Sequence, residues 1–241
     1  MRLLEQLINK FRYMRSAHEL LDGIQTQSTT TRPQLLEVNK WSTSKYLLKL
    51  LEVVGHTPYP VDELMLMAAA FEYHRPEVVI DIGTHVGKSA RIWFELSKKL
   101  RIPATIHTID LYEPSHVEYP GRQLGRYIRG LPVQQHIGDG YTCACDIIRA
   151  ASPTACFLIF LDGDHSYETV QRELLLGHKI ERGCLLVHDT FYQPGSNYNH
   201  GPYLAIQDAL SSLPVKQVIH LNTGLPGMSY LGLEQPSQGK T

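Results

Sequence analysis

The stretch Val78-Val79-Ile80-Asp81-Ile82-Gly83-Thr84-His85-Val86-Gly87-Lys88-Ser89-Ala90-Arg91 decides the fold. An apolar, β-branched run ends in an acid, passes through a short glycine loop and enters a segment with helical periodicity. That is a strand–loop–helix unit, the usual seat of a nucleotide-like ligand in an α/β protein. Gly83 and Gly87 let the backbone approach a ligand closely, and the helix start offers free N–H groups. Ser89 adds a hydroxyl in the first helical turn, suited to a carboxylate or phosphate.

Outward from this unit, strand and helix signals alternate, which predicts a parallel doubly wound sheet. Strands are expected near Val78–Ile82, Thr105–Asp110, Val133–Ile137, Phe157–Asp162, Cys184–His188, Val215–His220 and Met228–Leu233. Helices fill most gaps, at Ala90–Leu100, Thr142–Ala151, Tyr167–His178 and Tyr203–Leu210. Ahead of the sheet, Leu3, Leu4, Leu7, Ile8, Phe11 and Met14 share one face of a helix over residues 2–22. A polar linker with Pro33 follows over 23–40, then helices from Ser44 to Val54 and from Val61 through Phe71. The division is an N-terminal helical extension and linker over 1–57 and a Rossmann-like domain over 58–241.

Composition narrows the class. Hydrophobic residues make up 43% and charged residues 20%, with a formal net charge of −1, as in a soluble globular protein without a nucleic-acid partner. Cys143, Cys145, Cys156 and Cys184 lack disulfide-framework or zinc spacing and read as reduced thiols. With no signal peptide and no run of about 18 apolar residues, no membrane span is expected and the location is cytoplasmic. The mixed charges on the first helix suit packing on protein, and a homodimer is the expected use.

Three ligands compete for the glycine loop. A dinucleotide site wants G-x-G-x-x-G, and the third glycine is missing. A P-loop wants four residues between its glycines before Lys-Ser; here Gly83 and Gly87 enclose three, and Asp81 would repel a polyphosphate. The third pattern, D/E-x-G-x-x-x-G-x-S, fits every position and resembles the S-adenosylmethionine loop of catechol O-methyltransferase-like enzymes. In that resemblance Asp81, Gly83, Thr84, Gly87 and Ser89 hold the cofactor.

Later strand ends extend the case. Asp110 closes the second strand, where an acid commonly accepts hydrogen bonds from ribose hydroxyls. Asp139 and Gly140 follow the third strand, at the position where such methyltransferases contact the adenine, although Gly-Asp-Gly is also a common turn. The fourth strand ends in Asp162 and the fifth in His188-Asp189. Parallel strands bring these to one edge, and two carboxylates with an imidazole suit a divalent cation, Mg²⁺ or Mn²⁺. A strand ending in Asp also suits Mg²⁺ in a nucleotide hydrolase.

The order of glycine loop, Asp110, Leu161-Asp162-Gly163-Asp164-His165-Ser166-Tyr167-Glu168, Gly183 and Val187-His188-Asp189-Thr190 resembles class I S-adenosylmethionine-dependent methyltransferases. The resemblance is to the group of catechol O-methyltransferase, macrocin O-methyltransferase and cephalosporin hydroxylase-like proteins, and it covers Pro58 to Leu233. It implies a seven-stranded, mostly parallel sheet with a terminal antiparallel hairpin. It also implies metal ligation by Asp162, His188 and Asp189, with His188 departing from the usual Asp, Glu or Asn. A neutral imidazole binds Mg²⁺ poorly, so a softer ion, an acid–base role for His188 or no metal are all open. His165 stands where the catechol enzyme keeps its basic lysine and is the expected general base. Asp164 either orients that imidazole or faces solvent in a turn.

The expected activity is methyl transfer to a hydroxyl of a small molecule or sugar. A Mg²⁺-dependent nucleotide hydrolase and a binding or hydroxylase-type protein of this fold are the rivals. Residues Phe191–Pro202 would form a lid and Tyr112–Arg122 the opposite wall of the acceptor site.

Overall fold

The computed structural model describes residues 40–111, 124–192 and 200–234. The expected helix over 2–22, the linker up to residue 39, the wall over 112–122 and residues 193–199 of the lid lie outside them. Two helices, α1 (Lys40–Val54) and α2 (Val61–His74), lead into β1 (Val78–Ile82), α3 (Lys88–Leu100) and β2 (Thr105–Asp110). Next come β3 (Val133–Ile137), α4 (Gly140–Ala150), β4 (Cys156–Leu161), α5 (Tyr167–Leu174) and β5 (Arg182–His188). The chain closes with α6 (His200–Ala209), β6 (Gln217–Leu221) and β7 (Met228–Glu234).

These strands form one seven-stranded sheet in the order β3-β2-β1-β4-β5-β7-β6. The first five are parallel, while β7 inserts antiparallel between β5 and β6. All five residues of β1 and all six of β4 are buried, which is why these strands read as unbroken apolar runs. Side chains nevertheless alternate between two layers. Val78, Ile80 and Ile82 pack with Ile147 of α4, Leu174 of α5 and Ile206 of α6. Val79 packs on the opposite side with Leu50 of α1, Phe71 of α2 and Trp93 of α3. By the same period of two, Asp81 points into the α1–α3 layer, among aromatic rings.

Several boundaries differ from the sequence pattern, three of them in an informative way. The helix after β4 ends at Leu174 and tightens into a 3₁₀ turn over Leu175–His178. There Gly177 packs against the side chains of Leu213 and Leu185, which would have to give slightly to admit a Cβ. Val215 packs into the core without belonging to a strand, since β6 starts at Gln217, three residues after Pro214. An apolar β-branched residue beside proline therefore mimicked a strand start. The last helix begins at His200, ahead of the expected Tyr203, and its Gly201 sits on the His165 carbonyl, where a Cβ would come within 2.1 Å.

Register aligns the strand ends. Ile82 is paired with Ile109 on one side and Leu161 on the other, and Leu161 with Val187. The next residues, Gly83, Asp110, Asp162 and His188, thus emerge at one level of the C-terminal edge. Among the described residues no helix is long and apolar enough to cross a membrane.

Candidate active site

The first half of the edge is the glycine loop. Asp81 is 0% exposed, and its carboxylate accepts hydrogen bonds from Ser89 Oγ at 2.9 Å, Thr108 Oγ1 at 2.9 Å and Trp93 Nε1 at 3.2 Å. Burial pushes its pKa up to about 7 against the lowering effect of those three donors. The Thr108 proton is spent on Asp81, so Thr84 donates to Thr108 across 2.6 Å. Asp81, Thr84, Ser89 and Trp93 form a closed network beneath the loop, and the first three were expected to face a ligand. Ser89 is 2% exposed, which leaves its oxygen lone pairs as the part a ligand's ammonium group could approach.

The loop surface is made instead by backbone and Asp110. Gly83 has φ +106°, and a Cβ there would lie 2.1 Å from the Asp162 carbonyl oxygen. This glycine is required by the close approach of the loop to the backbone after β4 as much as by any ligand. His85, itself at φ 45°, donates its backbone N–H to Asp110 Oδ2 at 2.7 Å. Asp139 caps α4 by accepting from Thr142 N–H at 2.9 Å and holds Arg172 through two contacts of 2.9 Å. The Thr142 hydroxyl and Arg172 keep that carboxyl below its usual range. Gly140 is buried at the helix start, where a Cβ would meet Ile82 and Glu173 at 2.7 Å.

The second half lies beyond β4 and β5. Asp162 Oδ1 is 2.8 Å from His188 Nδ1, and Asp189 Oδ2 is 3.2 Å from the same nitrogen. Asp189 sits in left-handed backbone at φ 57°, a conformation short Asp side chains tolerate. His165 Nε2 lies 3.2 Å from Asp189 Oδ2 and 3.9 Å from Asp162 Oδ1, with 42% of its side chain exposed. Asp162 and Asp189 raise the His165 pKa above its ordinary value, against the effect of burial. Asp164 does not orient this ring: it accepts from Ser166 N–H at 3.1 Å, Ser166 Oγ at 2.7 Å and Thr169 Oγ1 at 2.7 Å, fastening the start of α5.

Two further residues belong to this centre and were not recognised in the sequence. Tyr59, 4% exposed, donates its hydroxyl to Asp162 Oδ2 at 2.6 Å. Glu63, 2% exposed, faces His188 Nε2 at 2.9 Å and accepts the Gly227 N–H at 2.8 Å. As an acid in the first turn of α2, Glu63 has a sufficient local explanation in the helix dipole, which concealed its other role. Its only distinctive signal was its place directly before the buried run Leu64–Phe71.

Burial disfavours a charged His188, but Asp162, Asp189 and Glu63 outweigh it and push the pKa well above the ordinary value. Burial likewise opposes ionisation of Asp162, and His188 outweighs it, holding that carboxyl low. The gap between Nδ1 and the two carboxylates therefore calls for positive charge. A proton answers it, and so does a metal ion. Asp162, His188 and Asp189 each offer a ligand atom within 4.8 Å of the others. Ligands bound at 2.0–2.2 Å stand about 3 Å apart in a coordination sphere, so the donor set fits a divalent ion. Two carboxylates with imidazole nitrogen favour Mn²⁺ or Fe²⁺ over Mg²⁺. Beside the centre opens a cleft of about 330 Å³ lined by Pro58, His188, Asp189, Leu225 and Pro226.

Residues 80–190 match a family model described as a methyltransferase domain. No curated protein matches the chain. Among solved structures, a methyltransferase of Podospora anserina bound to S-adenosylhomocysteine is similar, with 15% identity and a TM-score of 0.51 over 94% of this chain and 97% of that one. An O-methyltransferase from Bacillus cereus in complex with S-adenosylhomocysteine has 14% identity and a TM-score of 0.51, over 82% and 93% of the two chains. At these identities the likeness speaks for the fold. Residues 80–190 thus match a methyltransferase domain, within a fold shared with methyltransferases of solved structure.

Proposed function

We propose that the chain transfers a methyl group from S-adenosylmethionine to a hydroxyl of a small molecule or sugar, with a divalent ion at Asp162, His188 and Asp189. The observation that carries this reading is the meeting of those residues and His165 at the level of the glycine loop, beside an open cleft. When bound, the cofactor supplies an electrophilic methyl carbon and the ion supplies positive charge for the acceptor oxygen.

The protein's own part is alignment and proton removal. Asp110 accepts hydrogen bonds from the ribose hydroxyls, and its anchor on the His85 N–H fixes their height above the sheet. Gly83, Thr84 and Gly87 shape the loop backbone, while the buried Asp81–Ser89 pair keeps it rigid. Asp139 and Gly140 border the adenine end, with Arg172 holding Asp139 in place. At the far end His165 Nε2 takes the acceptor's proton. The neighbouring Asp162 and Asp189 carboxylates stabilise the imidazolium so formed. Pro58, Leu225 and Pro226 give the cleft apolar walls, which suit an acceptor ring with one apolar face.

The test is to incubate the protein with methyl-labelled S-adenosylmethionine, Mn²⁺ and a panel of phenols and sugars. Acceptor-dependent label transfer that disappears in His165→Ala supports the proposal. Binding of the cofactor with no transfer to any hydroxyl would favour a binding or hydroxylase-type role. ATP hydrolysis abolished by Lys88→Ala, without cofactor binding, would replace the reading altogether.

A further inference from the structure

Glu173 is a buried carboxyl for which the site as described has no use. It stands in the last turn of α5, where the helix dipole disfavours an acid, and it is 4% exposed. Burial and the charges of Asp139, Asp164, Arg172 and His165 act on it, and among the described residues no hydrogen bond does. Arg172, its neighbour in the chain, is spent on Asp139 and on the Tyr141 ring, 4.8 Å from the centroid. Yet the carboxyl is not sealed. The unpartnered polar atoms closed off from solvent are His74 Nδ1, His200 Nε2 and Gln217 Nε2, and neither oxygen of Glu173 is one of them. A buried carboxyl with no partner in the protein and an open tip calls for a donor from outside.

Gly140 stands over this carboxyl. A Cβ there would lie 2.7 Å from Glu173 Oε1 and as close to Ile82 Cγ2, so only glycine leaves the acid uncovered. Gly140 follows Asp139, the residue expected at the adenine, and Asp139 is already engaged. It receives the Thr142 N–H, the Thr142 hydroxyl and two nitrogens of Arg172, which uses the roughly four acceptor positions of a carboxylate. The nearest carboxyl with acceptor positions to spare is Glu173.

We propose that Glu173 is a cofactor-binding residue whose carboxyl, reached past Gly140, accepts a hydrogen bond from the exocyclic amino group of adenine. This rests on the reading of this edge as an S-adenosylmethionine site. The amino group is the donor that adenine carries and bare purine lacks, so Glu173 sets base selectivity as well as affinity.

The experiment titrates two ligands calorimetrically into the full chain: S-adenosylhomocysteine, and its analogue with purine in place of adenine, which lacks only the amino group. Wild type is expected to bind the analogue about 10- to 100-fold more weakly. Glu173→Leu, which has no acceptor, should bind the two alike, near the level wild type shows for the analogue. Glu173→Gln keeps an acceptor oxygen and should keep most of the preference. A carboxyl with a merely structural role would change both affinities together and leave their ratio unmoved. A Glu173→Leu protein with the wild-type ratio therefore overturns the inference. Should Glu173→Leu not fold, Glu173→Met, unbranched and of similar length, supplies the same comparison. A wild type that binds both ligands equally removes the role of Glu173 and leaves the cofactor reading intact. A wild type that binds neither overturns that reading and this inference together.

Discussion

The two halves of the sheet edge are built in opposite ways. The half proposed for the cofactor is local: Asp81, Thr84, Ser89, Trp93 and Thr108 come from one β1–α3–β2 unit, and their side chains satisfy one another out of contact with solvent. The half proposed for the acceptor is assembled from afar. Tyr59 reaches Asp162 across 103 residues, Glu63 reaches His188 across 125 and Gly227 across 164. The local half resembles a finished mould, with its buried acid pushed toward neutrality at about 7. The distant half concentrates unneutralised carboxylates around one imidazole. Under the proposed function, rigidity is supplied where the cofactor's shape is constant, and charge where a proton must move.

Gly83 is where the halves touch, so it should give the largest effect. Gly83→Ala forces a Cβ against the Asp162 carbonyl at a φ of +106°. Urea denaturation should show a loss of about 3 kcal/mol or more, together with loss of cofactor binding. An alanine variant of wild-type stability would mean that the approach of the loop to the backbone after β4 is looser than described.

His165→Ala tests the acceptor half by itself. The rate of methyl transfer should fall about 100- to 10,000-fold while cofactor affinity holds. A fall of cofactor affinity as large as that in rate would make His165 part of the first half instead. Asp110→Ala is the reciprocal change: cofactor affinity should drop about 10- to 100-fold, as expected for hydrogen bonds to a charged group, with Mn²⁺ uptake unaltered.

A pH-dependent effect concerns Glu173, which lies between the halves. It is 4% exposed, and burial, helped by Asp139 and Asp164, pushes its pKa up to about 8 from the ordinary 4.5. The folded protein then holds a proton that the unfolded chain releases. Stability is complete below about pH 4.5 and declines as pH rises toward about 8, by up to about 1.4 kcal/mol per unit. Glu173→Gln should flatten that decline, so its advantage in thermal unfolding is greater at about pH 8 than at about pH 5. Parallel pH profiles would show that Glu173 ionises freely.

Legibility in the sequence followed the same division. The five parallel strands were readable because their two-sided burial leaves continuous apolar runs, and the glycine loop because its residues are contiguous. The ends of β4 and β5 were readable because parallel strands finish at one edge. What a strand pattern omits is the inward turn of Asp81, which the period of two assigns to the α1–α3 layer once both faces are covered. Tyr59 and Glu63 were out of reach for a different reason. Each sits in a segment with an adequate local explanation, a proline-flanked turn and an acidic helix start, and only the tertiary fold reveals the second use.

One measurement addresses the central claim directly: calorimetric titration of S-adenosylmethionine and of Mn²⁺ into wild type, Asp110→Ala and Asp189→Ala. The account predicts that wild type binds both, that Asp110→Ala loses the cofactor and keeps the ion, and that Asp189→Ala does the reverse. A wild-type protein that gives no heat with S-adenosylmethionine, with or without Mn²⁺, would contradict it.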